Sequence, residues 1–298
     1  MGFKRITMLG TVGAGKSSLQ NCVFLQSMDM ATDPNQGLTV NLIESEKGER
    51  ISIAKFQDLH FPDSTPPGIV FSATLVLTRT RKVLGRGLMS QTAYCPSIEL
   101  AGETIADTII GLGKEEYGLS NIRQKSDLVN KYVLGADAYI VVVAVPRLKF
   151  VKGQSYENEP GNLSQYTDVN VSRMLTTIIN HKKKYGQPIP DVLFVFTKYD
   201  QMYQLLEGER YNLQRPEERE RFMKDWFIQT WNCLHAFGMD KITFVPMYIN
   251  LQYAEDGVTP KQWADKTPMI AKDPIKPNRP DYGKEESRTI VNWILSHT

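Results

Sequence analysis

Gly10-Thr11-Val12-Gly13-Ala14-Gly15-Lys16-Ser17 follows the apolar run Phe3–Leu9 and leads into an amphipathic pattern from Ser17 to Met28. Three glycines, a lysine and a serine within eight positions exceed what a turn requires. The spacing is G-x-x-x-x-G-K-[ST], entered by a strand and left by a helix, which is the context a phosphate-cradling loop needs. Glycines keep side chains out of the way, so that successive backbone N–H groups can close around phosphate oxygens. A helix starting near Gly15 adds its positive end and its unpaired N–H groups. Lys16 would place a fixed charge on the β and γ phosphates, and the Ser17 hydroxyl suits Mg²⁺. The candidate phosphate-binding set is Gly10, Val12, Gly13, Ala14, Gly15, Lys16, Ser17 and Ser18. By itself the pattern does not choose between ATP, GTP and a phosphorylated small molecule.

Working outward, further apolar runs read as buried strands: Ala138–Val145, Val192–Thr197 and Ile242–Ile249. Val70–Thr78 and Thr92–Leu100 read as a hairpin around the turn-prone Gly85-Arg86-Gly87. Helical patterns cover Ser120–Leu134, Ser164–Tyr185, Pro216–Phe237 and Glu285–Ser296, with a shorter one at Glu49–Leu59. Strands alternating with helices predict an α/β fold, a mostly parallel sheet covered on both faces. The expected organisation is one domain over 1–298. Insertions fall at about 30–64, 146–163 and 251–284, the last a Pro- and Lys-rich surface excursion.

The 298 residues are 41% hydrophobic and 23% charged, enough for a core. A formal net charge of +2 gives no overall electrostatic case for nucleic acid. Three distant cysteines, Cys22, Cys95 and Cys233, suggest reduced thiols and a cytoplasmic chain. No segment reads as membrane-spanning, and no signal peptide is expected. Ile6 stands where N-myristoylation wants Ser or Thr, which argues against lipidation. His60, His181, His235 and His297 do not cluster. The run His181–Lys184 is explained by its place at a helix end. Arg79, Arg81, Lys82 and Arg86 make the hairpin tip basic, either as a docking surface or as edge protection.

The strand Val192–Thr197 continues as Lys198-Tyr199-Asp200, giving T-K-x-D at a strand end. With the phosphate loop, this resembles the Ras-like P-loop GTPases of the TRAFAC class. The resemblance implies a three-layer α/β/α P-loop GTPase fold with a six-stranded sheet and one antiparallel hairpin strand. It also implies that Thr197, Lys198 and Asp200 read guanine. Asp200 would accept from the ring N–H and the exocyclic amine, Lys198 would lie along the base, and Thr197 would tie this loop to the phosphate loop. Ligands bind beyond the carboxyl ends of parallel strands, and both motifs end strands.

The resemblance implies two more elements. A threonine before the second strand should complete the Mg²⁺ shell. Thr65, in a proline-bounded loop, stands at that place, with Thr39 and Thr32 as rivals nearer the first helix. The D-x-x-G element reads Glu99-Leu100-Ala101-Gly102, so Glu99 replaces aspartate as the Mg²⁺-side carboxylate, and Gly102 would meet the γ-phosphate. The expected metal set is Ser17, Thr65 and Glu99. The expected catalytic set is Lys16, Thr65, Gly102 and Glu103. Glu103 stands where the family orients water with glutamine. A carboxylate adds negative charge beside the phosphate and cannot donate to it, so slow intrinsic hydrolysis or help from a partner is expected. The family's base-backing S-A-[KL] does not appear after Phe244–Ile249.

The implied function is a Mg²⁺-dependent GTP/GDP switch acting on a protein effector or activating partner. No nucleic acid and no integral membrane segment are expected. The alternatives are a non-hydrolysing guanine-nucleotide scaffold and a P-loop ATPase or kinase.

Overall fold

The structure is a computed structural model that describes residues 3–10, 13–43, 49–62, 71–83, 87–99, 133–145, 148–149, 157–158, 164–198, 211–257 and 259–297. Its centre is a seven-stranded sheet. The strands are β1 (Phe3–Gly10), β2 (Leu38–Ile43), β3 (Phe71–Val83), β4 (Gly87–Glu99), β5 (Ala138–Ala144), β8 (Asp191–Thr197) and β9 (Ile242–Pro246). The two-residue strands β6 (Leu148–Lys149) and β7 (Glu157–Asn158) pair separately. Across the sheet the order is β2-β3-β4-β1-β5-β8-β9. β4, β1, β5, β8 and β9 pair in parallel, while β3 is antiparallel to both neighbours. One strand therefore runs against the other six.

The strand count corrects the expected six. The extra strand is β2, inside the segment expected as an insertion at 30–64. Its alternation, Leu38 buried, Thr39 exposed, Val40 half-buried and Asn41 exposed, is a period-2 pattern. Only pairing with residues 74–79, far along the chain, makes it a strand. The hairpin forms in register from Phe71↔Glu99 to Val83↔Gly87.

Helices lie against both faces, and the alternation of β5 shows why. Tyr139, Val141 and Val143 enter one apolar cluster, while Ala138, Ile140 and Val142 enter another, all essentially inaccessible. A strand buried on both sides must read as a continuous apolar run, which it does. The second cluster is closed by α1 (Lys16–Ala31) and the C-terminal helix α6 (Lys284–Ser296). On α6, Ile290, Val291, Ile294 and Leu295 recur at helical spacing, each contributing about 1.5–3 kcal/mol by burial. The first cluster is closed by α3 (Ser164–Lys184), α4 (Pro216–Trp226) and α5 (Ile228–Leu234). The helix α2 (Glu49–Gln57) follows β2.

The single helix expected over Pro216–Phe237 is broken. Phe227, fully buried, leaves helical geometry at φ −129°, ψ 53°. The cause is Asp168 on α3. Its buried carboxylate accepts from the backbone N–H groups of Gln229 at 3.0 Å and Thr230 at 2.8 Å. Those donors are available only because a new helix starts there. Asp168→Ala leaves both unpaired. The expected loss is about 2–3 kcal/mol, read as a lower urea midpoint at unchanged slope. The basic run His181–Lys184 is likewise not all solvated. Lys182 is buried, and its ammonium donates to the Ala136 carbonyl at 2.7 Å.

The excursion at 251–284 is folded onto α1. Isolated rungs pair Ile249 with Tyr282, Leu251 with Ile270, Tyr253 with Pro260, Gln262 with Pro268 and Lys272 with Pro280. In three of these rungs one partner is proline, which has no N–H to extend a ladder. Ile270, fully buried, donates its N–H to the Leu59 carbonyl at 3.1 Å. Trp263 stacks on His60 with centroids 3.9 Å apart. Lys276 and Arg279 both reach Asp29 on α1. No helix among the described residues is long and apolar enough to cross a membrane.

Candidate functional site

β1 lies at the point where the sheet reverses its chain order: β4, β3 and β2 stand on one side, and β5, β8 and β9 on the other. The helix after β1, α1, and the helix after β5, α3, pack on opposite faces of the sheet, the arrangement at which ligands bind beyond the carboxyl ends of parallel strands. The glycine-rich turn follows the carboxyl end of β1.

Each described glycine of the turn has its own reason. Gly10 pairs with Val142, and a Cβ there would lie 2.4 Å from the Val142 carbonyl oxygen, so the two central strands admit no side chain. Gly13 and Gly15 take φ +70° and +85°, the left-handed region that glycine enters without cost. Gly15 is the N-cap of α1 and provides no side-chain cap, and the first turn carries no acid. The amino end of a sixteen-residue helix is thus presented without a capping side chain or a local negative charge. Lys16 is buried, and its ammonium donates to the Gly10 carbonyl at 2.9 Å, folding the side chain back across the turn. An ammonium has three protons, so this bond is compatible with simultaneous contact to phosphate. Ser17 and Ser18 occupy the first turn of α1, and Ala14 is buried beneath.

The end of β8 braces this turn. Thr197 is buried, and its hydroxyl lies 2.6 Å from the Ala14 carbonyl and 3.1 Å from that of Val143. With one proton to give, the hydroxyl donates to the nearer Ala14 oxygen. Lys198, next in the chain, takes φ +59°, a left-handed conformation rare outside glycine. Such outliers persist where the surroundings over-determine them, and they gather at ligand sites. Thr197→Val keeps the shape and removes the bond. The expected cost is about 1 kcal/mol in stability, measured by denaturant titration.

Strand register places the other expected residues. Glu99 ends β4, and Met8 lies beside Ser97, so Glu99 reaches the same edge as Gly10. Thr39 is opposite Thr78, which is opposite Thr92, which is beside Phe3. It is therefore level with the start of β1, about 23 Å from the Gly10 edge at 3.3 Å per residue. Thr32 caps the far end of α1 through Asp29, about 22 Å from Ser17 at 1.5 Å per residue. Both rivals to Thr65 are thereby set aside. Phe71, the first described residue after Thr65, pairs with Glu99 at the Gly10 edge. Val12, Thr65, Gly102, Glu103 and Asp200 lie outside the described residues.

β9 ends at Pro246, short of the Ile249 expected from the apolar run. Met247 donates its N–H to the Phe196 carbonyl at 2.6 Å, and the Ser287 hydroxyl on α6 lies 3.6 Å from its sulfur. Met247 is buried, so this stretch is part of the folded core. Among the described residues, no group of acidic, histidine or cysteine side chains has the makings of a metal site.

Compared with known proteins, the sequence matches no family model and no curated protein. Among solved structures, it is similar to the GTPase-like domain of S. cerevisiae Ski7 bound to GTP, at 11% identity and a TM-score of 0.38. The same domain bound to GDP and inorganic phosphate gives 10% identity and 0.33. In each case 89% of this chain aligns with 47% of the other, so the chain spans about half the length of the structures it matches. At these values the likeness assigns neither a family nor a ligand to this chain.

Proposed function

We propose that this chain is a guanine-nucleotide-binding protein of the P-loop GTPase type, a single three-layer α/β/α domain with insertions, that hydrolyses GTP slowly and acts as a switch. One observation carries the reading. A glycine-rich turn at the reversal point of a parallel sheet holds a buried lysine, and it is tied through Thr197 to the strand that runs into Lys198 and Asp200. The residues fit a phosphate chain: left-handed glycines, an uncapped helix start and a fixed cation converge on one turn.

Lys16 and the N–H groups from Gly13 to Ser18 would hold the phosphates, and Asp200 would select guanine. Ser17, Thr65 and Glu99 would hold Mg²⁺, which when bound neutralises charge on the β- and γ-phosphate oxygens. Gly102 would report the γ-phosphate, and Glu103 would accept a hydrogen bond from the attacking water. The output is a changed surface read by a protein effector or activating partner.

The test is competition of GTP and ATP for the purified protein with Mg²⁺ present, followed by phosphate release over hours. Preference for GTP with slow release, lost in Lys16→Ala, supports the reading. Equal binding of ATP overturns the base assignment. Tight GTP binding with no release in any condition removes the enzyme and leaves a scaffold.

A further inference from the structure

The β3–β4 hairpin outruns the sheet that anchors it. β2 stops pairing with β3 at Leu38↔Arg79, and the first described partner of β1 on β4 is Thr92, opposite Phe3. Thr80 keeps one contact, donating its N–H to the Gly37 carbonyl at 2.8 Å. Beyond it, Arg81↔Met89, Lys82↔Leu88 and Val83↔Gly87 pair only with one another among the described residues. A two-stranded ribbon in water is marginal on its own, so extending one costs stability without adding to the core.

The composition of this ribbon is one-sided. From Leu75 to Cys95 there is no acidic residue, while Arg79, Arg81, Lys82 and Arg86 are cationic. Leu88 is 76% exposed and Met89 42%, and Arg81 and Lys82 are exposed beside them. Edge protection explains the cations but not the exposed leucine and methionine, which work against it.

The arrangement of faces selects the occupant. Directly opposed residues share a face and successive residues alternate. One face therefore carries Arg81 with Met89, and the other carries Lys82 with Leu88. A flat protein surface meets one face of a ribbon at a time. An interface that surrounds it, with headgroups beside the cations and acyl chains beside the apolar tips, satisfies both. We infer that the projecting β3–β4 ribbon docks on an anionic lipid surface, with Leu88 and Met89 entering the headgroup boundary and Arg81 and Lys82 meeting lipid phosphates and carboxylates. The ribbon leaves the sheet at the edge opposite Gly10 and Thr197, so this contact leaves the phosphate turn facing away from the surface.

The test is co-sedimentation of the full chain with vesicles of phosphatidylcholine alone, or with phosphatidylserine added. Binding is expected only with phosphatidylserine and is expected to fall as salt rises. A basic side chain near such a surface contributes about fivefold, so Arg81→Ala with Lys82→Ala should weaken binding roughly 25-fold. Leu88→Ser should weaken it about tenfold. These positions are exposed, and unchanged thermal melting by circular dichroism verifies the fold of each variant. The inference is overturned if the wild type ignores anionic vesicles, or if correctly folded variants bind them as the wild type does. Capture by polyglutamate but not by vesicles overturns it in favour of an acidic protein partner.

Discussion

Lys16→Ala is expected to lower GTP affinity by about a hundredfold or more, with a much smaller effect on folding. The ammonium is buried and fixed by the Gly10 carbonyl 2.9 Å away, so its position is set before any ligand arrives. Removing one member of a desolvated, hydrogen-bonded charge pair costs on the order of 2–5 kcal/mol, because the phosphate is left without its counter-charge in a site short of water. The folding cost is smaller, because the loss of one hydrogen bond to the Gly10 carbonyl is offset by no longer burying an ammonium. Titration calorimetry with GTP, beside a urea melt of the same variant, separates the two. Unchanged affinity would mean that phosphate does not bind at this turn.

Asp200→Ala should act on a different quantity. It is expected to collapse the ratio of GTP to ATP affinity by roughly a thousandfold, while phosphate contacts remain. A site built to pair with a donor edge discriminates by up to about 10⁴–10⁵, because the wrong base leaves buried polar groups unpaired. Asp200 stands two residues after the left-handed Lys198, which itself follows the Thr197 brace, so the chain approaches Asp200 from a fixed point. Competition binding with both nucleotides reads the ratio directly. A variant that keeps its preference for GTP would move base selection elsewhere. Proportional loss of both nucleotides would point to a structural role for Asp200.

The two variants have separable signatures, one in affinity and the other in discrimination. This mirrors the division of the site between the end of β1 and the end of β8. Thr197 joins the two halves, because its hydroxyl on β8 donates to the Ala14 carbonyl in the turn after β1.

Residue types and spacing were enough to mark the glycine-rich turn, the strands β1, β3, β4, β5, β8 and β9, and the helices α1, α2, α3 and α6; the helix expected at Ser120–Leu134 lies almost wholly outside the described residues. Those features obey local rules. A phosphate loop needs glycine where φ is positive, and a doubly buried strand needs an unbroken apolar run. What only the tertiary structure decided is pairing at a distance. β2 became a strand through residues 74–79, and the helix expected at 216–237 broke because Asp168, some sixty residues earlier, takes its N–H groups. Register across three strands placed Thr39 level with the start of β1, away from Gly10, and the 251–284 excursion is held to α1 by Lys276 and Arg279 on Asp29 and to Leu59 by the Ile270 N–H. Local sequence sets which conformations a segment can adopt. Which of its polar groups find partners depends on segments far along the chain, and burial makes that choice binding because an unpaired buried donor costs as much as a good contact gains.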